Sequence, residues 1–303
     1  MEKSQIPNPK SPICLTVAGL DPSGGAGIIA DIKTFSAFGC FATAAVASLT
    51  FQNTTGVFGA ANQKAETVRA QIEPILQDFP VSALKTGMLP TGEIIEEIAR
   101  IVREYKLENF VVDPVVRSTS GFDLIDDAAL KVLIEKLFPL STIITPNLPE
   151  AERIAQMKIE NFDDVKTAAR KMQNFGAQNV LIKGGHISNS DFGFGISDLS
   201  ASETESVVSD PSKNQKPKNK KQTARDFLFC GEEIHVFEAE FIETDATHGT
   251  GCTLAAAIAA NLALGKNLVE AVATAKKFVT EAIRTSPHIG RGHSPINQLI
   301  KDF

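Results

Sequence analysis

The sequence predicts an α/β protein of three layers, α/β/α, with a mostly parallel central sheet. Three observations carry that prediction. Short apolar runs alternate with amphipathic stretches, which implies crossover connections and a sheet covered on both faces. The chain has 303 residues, 43% apolar and 22% charged, enough material for a large core. The expected helix boundaries also carry fitting residues, with Asp126 and Asp127 opening one helix and Gly176 following another.

The elements follow in order. Residues 13–18 read as a strand and 27–38 as a helix, then 44–49 as a strand and 65–78 as a helix. Strand 81–85 precedes helix 92–105, and strand 110–113 precedes helix 126–138. Strand 142–145 leads to helices 148–156 and 162–175, and strand 179–183 follows. The pattern breaks at 187–225, where eight serines, and five lysines within 213–221, leave few apolar positions. Such a segment cannot offset its ordering entropy by burial, so a disordered polar insertion is expected there. Residues 226–230 and 233–237 flank Gly231 as an antiparallel hairpin, and helices 249–264 and 268–284 close the chain. No internal repeat is visible. Residues 1–12 read as a flexible start and 13–303 as one domain.

Composition excludes several classes. Thirty Lys and Arg against thirty-six Asp and Glu leave a net charge of −6, which argues against nucleic-acid binding. Without Trp and with one Tyr, Tyr105, stacking platforms for single strands are not expected. No window of 18 uninterrupted apolar residues predicts a membrane span, and MEKSQIPNPKSP lacks the apolar stretch of a secretory signal. Cys14, Cys40, Cys230 and Cys252 form no CxxC pair, so a reduced, cytoplasmic setting is expected. His186, His235, His288 and His293 show no metal-ligand spacing.

Two glycine turns carry the chemistry. The first, AGLDPSGGAG (18–27), follows the first strand, and its glycines permit positive φ and close approach of a ligand. Gly25-x-Gly27-x-x-Ala30 matches a dinucleotide fingerprint on paper. The glycines lie too far past the strand, however, and no acidic residue ends the second strand. A tight turn with close helix packing is the other reading. The second turn, THGTGCT (247–253), opens an Ala-rich helix and exposes N–H groups at Gly249, Thr250 and Gly251, an anion cradle at a helix N-terminus. Cys252 sits in the first helical turn, where the dipole favours a thiolate; a buried small thiol is the alternative. The turn is not a Walker-type loop.

Both turns, together with QNTTGV (52–57), KTGML (85–89), VVDPV (111–115), ITPNLPEA (144–151), LIKGGH (181–186) and GRGHSPIN (290–297), resemble the ribokinase-like small-molecule kinases. Within them the match is closer to the hydroxymethylpyrimidine/phosphomethylpyrimidine kinases of thiamine biosynthesis. The resemblance covers about 13–186 and 226–297 and implies the ribokinase-like three-layer fold, ATP as co-substrate and Mg²⁺ as metal. It places Cys252 where the general ribokinase pattern has a proton-accepting aspartate, although a nearby γ-phosphate would oppose ionisation of the thiol. The N–H groups of Gly249–Cys252 would hold the transferring phosphoryl group. Lys183, at a strand end, would bridge phosphate oxygens, unless it is merely a solvated lysine. Asn147 and Glu150 match an N-x-x-E motif acting on magnesium and phosphate, and Asp113 is a second candidate for the magnesium shell. Either acid could instead cap a helix or turn. Asn147, Thr247, His248, Gly249, Gly251 and Lys183 are the ATP-side residues so implied. On the acceptor side, Gln52 has donor and acceptor atoms suited to an aminopyrimidine edge. The resemblance adds Ala18, Gly19, Asp31 and Met88 as pocket lining, with a plain core role open for Met88.

The function so expected is ATP-dependent phosphorylation of 4-amino-5-hydroxymethyl-2-methylpyrimidine and then of its monophosphate. A pyridoxal/pyridoxine kinase of the same architecture is the alternative, and a catalytically lapsed pyrimidine-binding regulator a third class. The expected partners are the small pyrimidine substrate and ATP, without nucleic acid or membrane, in a homodimer.

Overall fold

The computed structural model describes residues 11–117, 121, 123–184, 207–208 and 223–300. Its strands are β1 (Ile13–Leu20), β2 (Phe41–Asn53), β3 (Gly56–Asn62), β4 (Val81–Thr86) and β5 (Phe110–Val112). They continue with β6 (Ile143–Ile144), β7 (Asn179–Lys183), β8 (Val207–Val208), β9 (Thr223–Cys230) and β10 (Glu233–Glu240). All join one ten-stranded sheet in the order β3-β2-β1-β4-β5-β6-β7-β9-β10-β8. Every pairing from β2 to β7 is parallel, while β3, β9 and β10 add antiparallel hairpin pairings at the two sides.

Side-chain alternation along the strands decides which helices cover each face. Val17, Leu84, Phe110, Val112, Val180 and Ile182 point to one face. They pack there with α2 (Ala65–Asp78), α3 (Gly92–Tyr105), α4 (Asp127–Lys136), α5 (Leu148–Ala155) and α6 (Phe162–Asn174). Cys14, Ala83, Val111, Ile143 and Leu181 point the other way, under α1 (Gly27–Ala37), α7 (Thr250–Ala263) and α8 (Leu268–Arg284). This is the expected three-layer α/β/α architecture. Ala255, Ala256, Ala257, Ala259 and Ala260 are fully buried, so the backbone of α7 can approach the sheet closely across β1, β4 and β5. The helix boundaries follow their caps: Asp126 Oδ1 accepts the Ala129 N–H at 2.7 Å, Asn161 and Asn267 form capping boxes, and Gly176 follows α6 at φ 104°.

Four elements differ from the sequence expectation. Strand β2 runs 13 residues, and β3 pairs with it as an edge strand that GVFGAAN, without polar alternation, does not announce. Strand β9 starts at Thr223, so Thr223–Arg225 belong to the sheet and not to the expected insertion, because they pair with Glu238–Glu240 of β10. Val207–Val208 pair with Val236–Phe237. The rest of the 187–225 segment lies outside the described residues. No helix among the described residues is long and apolar enough to cross a membrane.

Candidate active site

The same alternation that builds the core sets the chemistry. Lys85 follows Leu84, Asp113 follows Val112 and Lys183 follows Ile182, so each polar side chain turns to the α7 face at the C-terminal end of a parallel strand. That edge is where open parallel sheets present ligands. The N-terminus of α7 meets it. Gly249 precedes the helix at φ 86°, a left-handed conformation that favours glycine. Thr250 N–H turns back to Thr247 O at 3.3 Å. The N–H groups of Gly249, Gly251 and Cys252 have no hydrogen-bond partner among the described residues. A Cβ on Gly251 would stand 3.2 Å from Lys183 Nζ and 3.8 Å from Asp113 Oδ2, so free donors, ammonium and carboxylate converge on one seat.

Lys183 Nζ donates to Asp113 Oδ1 at 3.0 Å, and Thr145 Oγ1 donates to the same oxygen at 3.1 Å. Burial opposes the Lys183 ammonium, but Asp113 and then Glu150 outweigh it and hold its pKa above the ordinary value. Glu150 closes a capping box: its Oε2 accepts Asn147 N–H at 2.8 Å, and Asn147 Oδ1 accepts Glu150 N–H at 2.9 Å. Its Oε1 accepts Val116 N–H at 3.4 Å. Burial, with Asp113 adding to it against Lys183, pushes this carboxyl up to about 7. The capping alternative for Asn147 and Glu150 is therefore real, and the cap also sits within the electrostatic reach of Lys183. Among the described residues no group of three His, Cys, Asp or Glu side chains gathers as a metal cluster.

Cys252 corrects one expectation. The dipole of α7 favours a thiolate, yet burial pushes the thiol up to about 11, with Asp31 and Asp113 adding to it. Lys85 and a hydrogen bond from Gly27 N–H pull the other way and lose. Lys85 is the residue that the sequence reading missed. It is fully buried, as is Asp31, whose oxygens lie 2.8 and 3.0 Å from Lys85 Nζ. Thr16 Oγ1 donates to Asp31 at 2.6 Å. Burial opposes the Lys85 ammonium, but Asp31, with smaller help from Cys252 and Asp113, outweighs it. Asp31 thus meets the site through Lys85. The sequence signal was only an acid within GIIADIK and a lysine after the run VSAL, which sequence alone does not pair.

The first glycine turn is not a phosphate cradle. Asp21, 1% exposed, accepts Ser23 N–H at 2.8 Å, Gly25 N–H at 3.2 Å and Ala26 N–H at 2.9 Å, so the turn's amides are spent on an internal carboxylate. His248 Nε2 lies 2.8 Å from the same carboxylate and locks the two turns together. Ala18 and Gly19 flank a register shift in the β1–β2 pairing, and Met88 lies against Gly19, where a Cβ would be 2.9 Å from its sulfur. Gln52, near the end of β2, donates to Thr50 Oγ1 at 2.5 Å, and Thr50 in turn donates to Leu20 O at 2.9 Å. Ala18, Gly19 and Met88 are therefore neighbours, with Gln52 held over the end of β1. A cavity of about 410 Å³ between α2 and α3, lined by Arg69, Arg100 and several glutamates, holds none of these residues.

The chain is similar to known proteins over most of its length. The chain is 40% identical over 296 residues to a thiamine biosynthesis bifunctional protein of Geobacter sulfurreducens; this covers 98% of the chain but 54% of that longer protein. It is 40% identical over 285 residues to the hydroxymethylpyrimidine/phosphomethylpyrimidine kinase of Bacillus subtilis, 94% of each chain. The crystal structure of phosphomethylpyrimidine kinase from Clostridium difficile superposes with a TM-score of 0.70 at 37% identity, covering 90% of this chain and all of that one. An ADP complex of Bacillus subtilis pyridoxal kinase gives 0.77 at 35% identity, covering 95% and 97%. The sequence model of phosphomethylpyrimidine kinases matches residues 21–297, a span that holds Asp31, Lys85, Asp113, Glu150, Lys183 and the α7 cradle, and the chain belongs to that family.

Proposed function

We propose that this protein transfers the γ-phosphate of ATP to 4-amino-5-hydroxymethyl-2-methylpyrimidine and then to the monophosphate, forming the diphosphate used in thiamine biosynthesis. The observation that carries the reading is the cradle: N–H groups at Gly249, Gly251 and Cys252 that have no partner among the described residues, with Lys183 and Asp113 pressed against Gly251. Phosphoryl transfer depends mainly on positioning and charge neutralisation, which this arrangement supplies. Lys183 bridges the phosphate oxygens, and Asn147, Thr247 and His248 frame the nucleotide side.

Asp113 suits magnesium. Its Oδ1 is taken by Lys183 and Thr145, while Oδ2 has no hydrogen-bond partner among the described residues and faces the cradle. One open carboxylate oxygen beside phosphates fits Mg²⁺, a hard cation that keeps several waters and neutralises phosphate charge when bound. Both Glu150 oxygens accept backbone N–H groups, so Glu150 acts there through charge or through water.

Ala18, Gly19 and Met88 form the wall on which the acceptor ring rests, Gln52 reads its amino and ring-nitrogen edge, and Asp31 holds Lys85. In the first step the acceptor hydroxyl oxygen bonds to phosphorus, ADP leaves with the electron pair, and the hydroxyl proton passes to the minor thiolate form of Cys252. In the second step the attacking oxygen belongs to a phosphate already ionised at neutral pH, so no hydroxyl proton is removed.

The reading treats residues 13–303 as one kinase domain in the cytoplasm. It includes a homodimer through the β2–β3 edge, where Phe41, Phe51 and Phe58 are 54%, 53% and 69% exposed; sedimentation of wild type and Phe58→Lys checks it. Pyridoxal phosphorylation is the second reading, favoured by the fold match to the Bacillus subtilis pyridoxal kinase. The test is kcat/KM with Mg-ATP for hydroxymethylpyrimidine, its monophosphate and pyridoxal. Preference for the two pyrimidines supports the proposal. Efficient use of pyridoxal with no pyrimidine turnover selects the second reading, and absence of all transfer leaves a pyrimidine-binding regulator.

A further inference from the structure

Residues 21–26 of the first glycine turn and the GRGHSPIN segment have no part in the chemistry above, and the structure joins them. At one end of residues 288–298, Thr54 Oγ1 accepts Arg291 N–H at 3.2 Å and Gly292 N–H at 3.4 Å, and Thr54 O accepts His293 N–H at 2.9 Å. The approach is close enough that a Cβ on Gly290 would fall 2.3 Å from Thr54 Oγ1, and one on Gly292 2.1 Å from Thr54 O. Thr54 lies two residues after Gln52, in the turn that joins β2 to β3.

At the other end the segment grips the cradle. Ser294 O accepts His248 N–H at 3.2 Å, and Ile296 N–H donates to His248 O at 3.3 Å. Gln298 Nε2 donates to Gly25 O at 3.0 Å, in the turn that Asp21 ties to His248. The span between the two grips is itself fixed: Ser294, Ile296 and Gln298 are buried, and Ser294 Oγ accepts Ile289 N–H at 3.0 Å.

We propose that residues 288–298 form a strap that holds the ring-reading hairpin in register with the phosphoryl cradle, with Thr54 as its positioning residue. The inference rests on the kinase reading above. Its physical need is plain. The hairpin lies at an edge of the sheet, where local opening costs least, whereas the cradle is seated on the buried helix α7. Transfer requires the acceptor oxygen within about 3–3.5 Å of phosphorus, and a 1 Å misplacement costs on the order of 100-fold. The strap closes that gap from residue 54 to residue 248 with backbone hydrogen bonds and with the side-chain acceptor Thr54 Oγ1.

Thr54→Val keeps the shape and removes the Oγ acceptor, while Thr54→Ser keeps it. Each variant is assayed for kcat at saturating acceptor, KM for ATP, and ATP hydrolysis without acceptor, a reaction that does not use the hairpin. The strap predicts that Thr54→Val lowers acceptor kcat by about tenfold or more. KM for ATP and acceptor-free hydrolysis stay within about threefold in the same variant, and Thr54→Ser restores the rate. Gly290→Ala, which crowds Thr54 from the strap side, must give the same pattern and serves if Thr54→Val does not fold. Unchanged kcat in folded Thr54→Val, equal impairment of Thr54→Ser, or a parallel fall in acceptor-free hydrolysis overturns the inference. Wild-type transfer is the separate control. If the wild type ignores hydroxymethylpyrimidine, the substrate reading fails, and the strap is measured with the acceptor that is used.

Discussion

Replacing Lys183 by Met removes the cation from the cradle and little else. The ammonium stands 3.2 Å from the position of a Gly251 Cβ, so a phosphate oxygen seated on the Gly251 N–H would lie roughly 4 Å from it. At that separation a unit charge pair is worth about 4 kcal/mol at an effective dielectric of 20. Only the part realised in the transition state reaches the rate, so a loss of about 2–4 kcal/mol is expected, roughly 30- to 1000-fold in kcat/KM. The substitution also leaves Asp113, 2% exposed, with Thr145 as its remaining hydrogen-bond donor, so the melting temperature should fall. Lys183→Met/Asp113→Asn separates the two effects: stability should recover while activity does not. The assay is ADP release at saturating acceptor, with circular dichroism to confirm folding. A folded Lys183→Met with kcat within threefold of wild type, or with acceptor affinity lost and kcat kept, refutes the reasoning.

Cys252→Ala should slow the alcohol step by about 100- to 10,000-fold, and the phosphate step by at least about tenfold less, since only the first needs a base. Because the thiol is pushed up to about 11, the wild-type rate of the alcohol step should climb from pH 7 to 10, and the alanine variant should lose that climb. A pH–rate profile for each acceptor checks both. Glu150 titrates in the fold at about 7 against 4.5 for the free group, so the stability it contributes is complete below 4.5 and is lost as pH rises through 7. The ligand-free protein should therefore lose on the order of 3 kcal/mol from this group over that window, and Glu150→Gln should flatten urea-unfolding stability across it. Gln52→Leu should reduce kcat/KM for the pyrimidine by about 5- to 150-fold (~1–3 kcal/mol for buried groups left unpaired) and leave KM for ATP unchanged, as initial-rate kinetics would show.

Much of this was legible in the sequence, for reasons that differ by element. The alternation of apolar runs with helical spacing located β1, β4, β7 and the eight α-helices of the described residues, since burial dictates both periods. The GTGC turn and Lys183 were readable because a helix N-terminus after glycines and a strand-end lysine have local signatures. Strand β3 was not, because GVFGAAN lies at an edge and buries little. Lys85 needed tertiary structure: its meaning depends on Asp31, 54 positions away, and only the packing of α1 on β1, beside β4, reveals the pair. The Asp21–His248 contact spans 227 positions and has no sequence signature. The thiolate expectation failed because the helix dipole is local and visible in sequence, whereas the burial that outweighs it comes from the whole fold.

The most direct test of the central claim follows one reaction from start to finish. Wild-type protein, Mg-ATP and hydroxymethylpyrimidine are monitored by phosphorus NMR, with Lys183→Met in parallel. A single cradle serving both acceptors predicts that pyrimidine monophosphate appears first, then declines as the diphosphate accumulates, with one ADP formed per phosphoryl group and both steps slowed in the variant. ADP released with neither pyrimidine product, or a monophosphate that accumulates without conversion, would contradict it.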